Sequence, residues 1–195
     1  RGDVFLLPPR WALLRLRGLA VGWALGAGAR GTGHASAGGP TLLWIQRSAA
    51  TTRRVANEPE LLDALGAALE GLEGPRWTVR VFSDTPSVPP AREAVRLFHE
   101  ADIVVGVHGS GQANMVFCQE GAGVIDINIP EPHSQYSAHN SFALGLRYRL
   151  VMMRGYGLHQ AVNLTVPVKE VLEALRSLLP AARLGGWAGC GAGTR

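Results

Sequence analysis

The densest chemistry in this sequence lies where His108-Gly109-Ser110-Gly111 follows the apolar run Ile103 to Val107. A glycine turn between a strand and a helix leaves backbone N–H groups unpaired and lets the chain approach a ligand closely, so it can cradle an anion. Plain tight turns use the same residues. His108 has two readings: it donates to a phosphate or sugar hydroxyl, or it only closes the strand end. Ser110 raises a rival chemistry, because a hydrolase nucleophile also sits on a strand-turn-helix. That elbow needs glycine two places either side of the serine, where this chain has His108 and Gln112, so serine hydrolysis through Ser110 is retained only as a lesser alternative.

A second group is cationic. Arg47 follows the run TLLWI, and Arg53 and Arg54 follow across the polar segment SAATT. Guanidinium forks match phosphate oxygens and stay charged at every working pH, so three of them can neutralise a departing diphosphate without a metal ion. The competing reading is a solvated basic loop. Asp126, within VIDINIP, is an acid among apolar neighbours and therefore needs a partner: a ribose hydroxyl, or a structural partner such as an arginine. Asp84, at the end of the second strand, could accept from ribose hydroxyls in the same way, but Asp126 is the better candidate and Asp84 reads as a cap on the following turn. Asn163-Leu164-Thr165 is an N-glycosylation sequon, compatible with the secretory pathway. His99, His133, His139 and His159 show no metal-ligand spacing and read as surface or core residues. Cys118 and Cys190 lie far apart, which argues against zinc and leaves their pairing open.

The elements that must hold these groups alternate. Thr41 to Ile45, Trp77 to Phe82, Ile103 to Val107 and Val124 to Ile129 read as strands, the apolar ones as buried on both faces of a parallel sheet. Between them, Glu58 to Leu72 and Ala91 to Glu100 have helical spacing, and the residues after Gly111 can form a helix. Arg147 to Met152 adds a strand, and Pro167 to Leu179 is a closing amphipathic helix. Strands alternating with helices predict an α/β domain, a Rossmann-like doubly wound parallel sheet with ligands at the carboxyl ends of the strands.

Length and composition set limits around that domain. With 195 residues and 47% hydrophobic side chains, the chain supports one core. Residues 1–40 read as a partial helix and a flexible Gly/Ala linker, 41–180 as the domain, and 181–195 as a loose Gly/Ala-rich tail. The chain starts at Arg1, so its natural amino terminus is expected to lie upstream, where any membrane anchor would be; Trp11 to Ala29 is too interrupted to span a bilayer. Nineteen Lys+Arg against fifteen Asp+Glu give a net +4. No aromatic-interleaved basic stripe accompanies that charge, so an anionic small ligand accounts for it and no nucleic-acid partner is expected.

Taken together, ADIVVGVHGSGQANMVF and GAGVIDINIP resemble the signature of glycosyltransferase family 61: a strand, a His-Gly-Ala-Gly-Leu-Thr-Asn-type turn, an Asn-hydrophobic-Phe helix, then Gly-x-x-hydrophobic-Glu-hydrophobic-x-Pro. LLWIQRSAATTRRVANEPEL, ending at Leu61, and PPAREAVRLFHEAD are similar to the family's upstream strand, arginine loop and helices. The resemblance runs from about Thr41 to Leu179. It implies the donor-binding lobe of a GT-B-type enzyme that is inverting and metal-independent, needs no cofactor, and takes a UDP-sugar as donor. Carried over, Arg47 with Arg53 or Arg54 would hold the diphosphate, His108, Gly109, Ser110, Gly111 and Asn114 would line the pocket, and Asp126 would address the ribose. Ser110 stands where alanine is usual, Gln112-Ala113 where Leu-Thr is usual, and Asp126 is one methylene shorter than the usual glutamate.

The resemblance further implies transfer of xylose, N-acetylglucosamine or arabinose to a glycan or glycoprotein in the Golgi or endoplasmic reticulum lumen. An inverting reaction needs a base for the acceptor hydroxyl, and no residue is assigned that role from sequence. The alternative to an enzyme is a non-catalytic module that binds nucleotide-sugar or glycan.

Overall fold

The structure, a computed structural model, describes residues 7–26, 39–129, 135–153 and 163–180. Its centre is a five-stranded, wholly parallel sheet: β1 (Thr41–Ile45), β3 (Thr78–Phe82), β4 (Ile103–Val107), β5 (Gly123–Asn128) and β6 (Arg147–Met152), in the order β3-β1-β4-β5-β6. Counting only these five, the order is 2-1-3-4-5, one of the two common doubly wound arrangements. The strand order reverses between β1 and β4, which places a ligand crevice at the carboxyl ends of those two strands. A separate two-stranded parallel ribbon joins β2 (Arg54–Val55) to β7 (Asn163–Leu164).

The period of two along each strand divides the core. Leu42, Trp44, Ile103, Val105, Val107, Ile125 and Ile127 face α2 (Glu58–Glu70) and α5 (Val168–Leu178), which bring Leu61, Leu65, Leu69, Val171 and Leu175. Leu43, Ile45, Phe82, Val104 and Val124 face the other layer. That layer holds α1 (Arg10–Leu25), α3 (Ala91–Glu100), the 3-10 helix Ser110–Phe117 and α4 (Tyr136–Leu144). Helices on both faces are what the near-continuous apolar strands β1, β4 and β5 require, since every one of their residues is buried.

Local sequence explains most boundaries. α2 begins with Pro59 and two acids, Glu58 and Glu60, in its first turn, where a fixed φ and negative charge suit the helix start. Glu58 also accepts hydrogen bonds from Trp44 Nε1 at 2.9 Å and Gln46 Nε2 at 2.7 Å, tying that helix to the end of β1. α4 stops at Gly145, which takes the left-handed conformation at φ 72°. The helix expected after Gly111 is a 3-10 helix, and α4 joins the elements foreseen from sequence as an addition.

α1 packs through Leu13 and Leu14 against the α3 and α4 layer, and Arg17 Nη1 donates to Cys118 O at 3.1 Å. Its outer face leaves Trp11, Leu19 and Trp23 exposed, with the Arg92 guanidinium 5.1 Å from the Trp23 ring. No described helix is long and apolar enough to cross a membrane. The expected linker at 27–38, the tail after 180, His133, His159 and Cys190 lie outside the described residues. Cys118 is buried as a free thiol.

Candidate functional site

The register builds the site. β4 lies between β1 and β5, with Ile45 opposite Gly106 and Gly106 opposite Asp126; one step on, His108 N donates to Ile127 O at 2.8 Å. His108 and Asp126 therefore share a face, and His108 Nδ1 stands 3.2 Å from Asp126 Oδ2. Asp126 is 0% exposed and His108 5%. Tyr148 OH, from β6, donates to the same Asp126 oxygen at 3.0 Å. Burial, and then the neighbouring Asp126 charge, push the Tyr148 phenol above its usual range, so it remains the donor in that contact.

α4 closes the pair from above. Ser137 Oγ lies 3.4 Å from His108 Nδ1 and donates to Gln112 Oε1 at 3.2 Å, while Gln112 Nε2 donates to Gly106 O at 3.1 Å. Gln112 is thus wholly buried yet bonded at both ends of its amide, which is how a polar group is accommodated where the family pattern has leucine. The Tyr136 ring tilts against His108 with centroids 4.7 Å apart, and its hydroxyl donates to Gly109 O. Burial chiefly pushes the Tyr136 phenol upward.

Arg47 leaves the end of β1 and lies across Gly109. A Cβ on Gly109 would stand 2.3 Å from Arg47 Nη1, so the absence of a side chain there gives the guanidinium its seat. Gly109 itself is extended, so the requirement is steric and not conformational. Arg47 Nη2 donates to Thr52 O at 3.3 Å, and Nε is buried with no partner among the described residues. Desolvation first, and then Arg53, depress the Arg47 pKa, with Asp84 opposing. Asp84 Oδ1 accepts from Ala49 N at 3.0 Å and from Thr85 Oγ1 at 3.3 Å, so it pins the arginine loop as well as its own turn.

The structure brings Arg47, His108, Gly109 and Asp126 into one constellation at the β1/β4 switch point. Arg53 adjoins it electrostatically and adopts φ 59°, the left-handed region that a non-glycine residue rarely occupies. Arg54 is exposed on β2, in register with the exposed sequon residue Asn163. Ser110 is exposed, and Asn114 Nδ2 bonds within its own helix to Gly111 O at 3.0 Å. Asp126 is 0% exposed and so presents no open face to a ribose; His108 and Tyr148 both bond its Oδ2, while Oδ1 is buried with no partner among the described residues.

A Ser-His-Asp triad uses opposite ring nitrogens for serine and acid, whereas Ser137 and Asp126 both approach His108 Nδ1. Ser110 has no hydrogen bond to a histidine among the described residues. The hydrolase alternative therefore finds no geometry here. Among the described residues no group of three or more His, Cys, Asp or Glu is placed to hold a metal ion.

Tyr136, Ser137 and Tyr148 were not foreseen from sequence. Tyr148 had a signal, since RYRLVM reads as a strand and Tyr148 falls in register with Val124 beside Asp126. Tyr136 and Ser137 had none, because YSAHNSFAL lacks an apolar stripe.

A family model described as "Glycosyltransferase 61" matches residues 11–125, more than half of the chain. No curated protein matches the sequence. Among solved structures, a flavo di-iron protein mutant from Thermotoga maritima is similar at 10% identity and a TM-score of 0.44, over 74% of this chain and 36% of that one. The chain thus spans little more than a third of that relative's length, and so distant a likeness says nothing of ligand.

Proposed function

The chain belongs to the glycosyltransferase 61 family, and from that premise we propose that it is the donor-binding lobe of a GT-B-type enzyme, binding a UDP-sugar for inverting, metal-independent transfer to a glycan or glycoprotein. The observation that carries this reading is Arg47. A half-buried guanidinium, seated on Gly109 at the switch point, crowded by Arg53 and offset by Asp84 without a close hydrogen-bonded carboxylate among the described residues, is a cation with room for an anion. The diphosphate supplies one, and the open backbone around Gly109 to Gly111 admits it. Arg53, and Arg54 from the loop edge, add positive charge as the phosphate leaves, the role a divalent cation would otherwise serve.

His108, at the end of β4, and Ser110, Gly111 and Asn114, in the 3-10 helix that follows it, are the residues assigned to the sugar in this reading, Asn114 after release of its bond to Gly111 O. The donor sugar is xylose, arabinose or N-acetylglucosamine, and the setting is the Golgi or endoplasmic reticulum lumen, where the exposed Asn163 is open to glycosylation.

Calorimetric titration of the folded chain with UDP, with and without chelator, tests the reading. Binding is expected to be unaffected by chelator and weakened about tenfold or more in Arg47→Ala, the loss of a charge-assisted pair. Absence of UDP binding by folded protein would overturn it. A binding module without transfer would bind UDP equally but release none from any of the three UDP-sugars.

A further inference from the structure

We infer that His108 is the general base of the transfer, presenting Nε2 to the acceptor hydroxyl, with Asp126 as the residue that positions it and Tyr148 as the residue that positions Asp126. This rests on the donor-site reading above. The argument starts from which nitrogen is occupied. Asp126 Oδ2, 3.2 Å away, takes the proton on Nδ1, and Ser137 Oγ crowds that same nitrogen at 3.4 Å. In the neutral ring the lone pair then belongs to Nε2, which makes no hydrogen bond among the described residues. A carboxylate holding one nitrogen so that the other acts as base is the logic of an acid-histidine dyad.

Burial makes the pair committed. Asp126 is 0% exposed and its strand is flanked on both sides by other strands, so the acid cannot swing away. Tyr148 OH holds the same oxygen at 3.0 Å, fixing the carboxylate plane, while the Tyr136 ring limits rotation of the imidazole. The titratable groups facing His108 are Asp126 from β5 and Tyr136 from α4, with Tyr148 from β6 behind Asp126; the nearest cation is Arg47, over the adjoining Gly109.

In the step, the acceptor O–H proton passes to His108 Nε2 as the acceptor oxygen bonds the anomeric carbon. The bond from that carbon to the β-phosphate oxygen breaks on the opposite side, and UDP leaves with the electron pair, its charge met by Arg47. A water molecule taking the acceptor's place yields free sugar and UDP by the same proton transfer.

The rival role for His108 is an imidazolium donating to phosphate, and the two roles differ at Nε2. Imidazole nitrogen shifts of the 15N-labelled chain at about pH 8 are expected to show Nδ1 protonated and Nε2 bare, and to remain so when UDP saturates the site. Asp126→Asn should lose that tautomer preference. Release of UDP from UDP-xylose, UDP-arabinose and UDP-N-acetylglucosamine should fall about 100-fold or more in His108→Gln, while the Kd for UDP stays within about threefold. Tyr148→Phe should lower kcat without changing the Kd for UDP. A protonated Nε2 in the free protein, or one that gains a proton on UDP binding, would overturn the assignment, as would undiminished UDP release by His108→Gln. Failure of the donor site itself reads differently: UDP does not bind, whatever the tautomer.

Discussion

The two faces of the sheet are built on different principles. Beneath α2 and α5 every buried core side chain is hydrophobic, and the indole N–H of Trp44 is satisfied by Glu58. On the other face, β4, β5, α4 and the 3-10 helix bury His108, Gln112, Asp126, Asn128, Ser137, Asn140 and Ser141. Asp126 Oδ1, Asn128 Oδ1 and Asn140 Oδ1 there have no partner among the described residues. Buried polar groups lower stability unless bonded, and most cores satisfy them. One face therefore serves cohesion, and the other trades cohesion for a fixed set of polar groups next to the crevice. Substitutions on the two faces should separate stability from ligand binding.

The largest effect belongs to the apolar face. Leu65→Ala removes a 0% exposed side chain between α2 and the sheet and should cost about 2–5 kcal/mol in denaturant unfolding. The Kd for UDP of the protein that remains folded should not move; a large change would mean that the two faces are coupled.

Cys118 tests the other layer through pH. Burial raises its thiol from 9.0 to about 12, so between those values the unfolded chain has lost the proton that the folded chain keeps. The unfolded state then binds fewer protons, and stability falls as pH rises. The contribution is intact below about pH 9, and about 2 kcal/mol should be lost by about pH 10.5. Chemical unfolding across that range, compared with Cys118→Ala, isolates the thiol's share as the difference between the two slopes, since the raised Tyr136 and Tyr148 phenols titrate in both proteins.

Tyr148→Phe deletes one bond to a buried carboxylate and should cost about 1.5 kcal/mol in the same denaturant assay. A cost near that of Leu65→Ala would show that the polar face contributes cohesion too. Gly109→Ala should barely change stability, within about 0.5 kcal/mol, because Arg47 can swing aside. It should nonetheless weaken UDP binding severalfold by titration, since the methyl takes the guanidinium's seat. Unchanged affinity would detach Arg47 from the site.

Much of this division was legible in residues. The strands TLLWI and IVVGV were readable because burial on both faces leaves them no polar position. α3 and α5 were readable because each turns one apolar stripe to the sheet and the rest to water. α4 was not, for the opposite reason: it buries Ser137, Asn140 and Ser141 on a polar surface, so its inward face carries no hydrophobic period. A helix is found by its apolar stripe only where the surface it covers is apolar.

Sequence alone therefore determined the α/β alternation, the glycine turn after β4, the arginines after β1 and the resemblance to one glycosyltransferase family, because each is a local pattern of types and spacing. Tertiary structure decided what Asp126 touches. Its neighbours in the chain required only some polar partner; the parallel register of β4, β5 and β6 supplied His108 on one side and Tyr148 on the other. The sheet order likewise put Arg47 against Gly109, residues far apart in sequence that meet only because β1 lies beside β4. Strand order and register are global properties, set by which arrangement buries all the strands at once, and no local spacing records them.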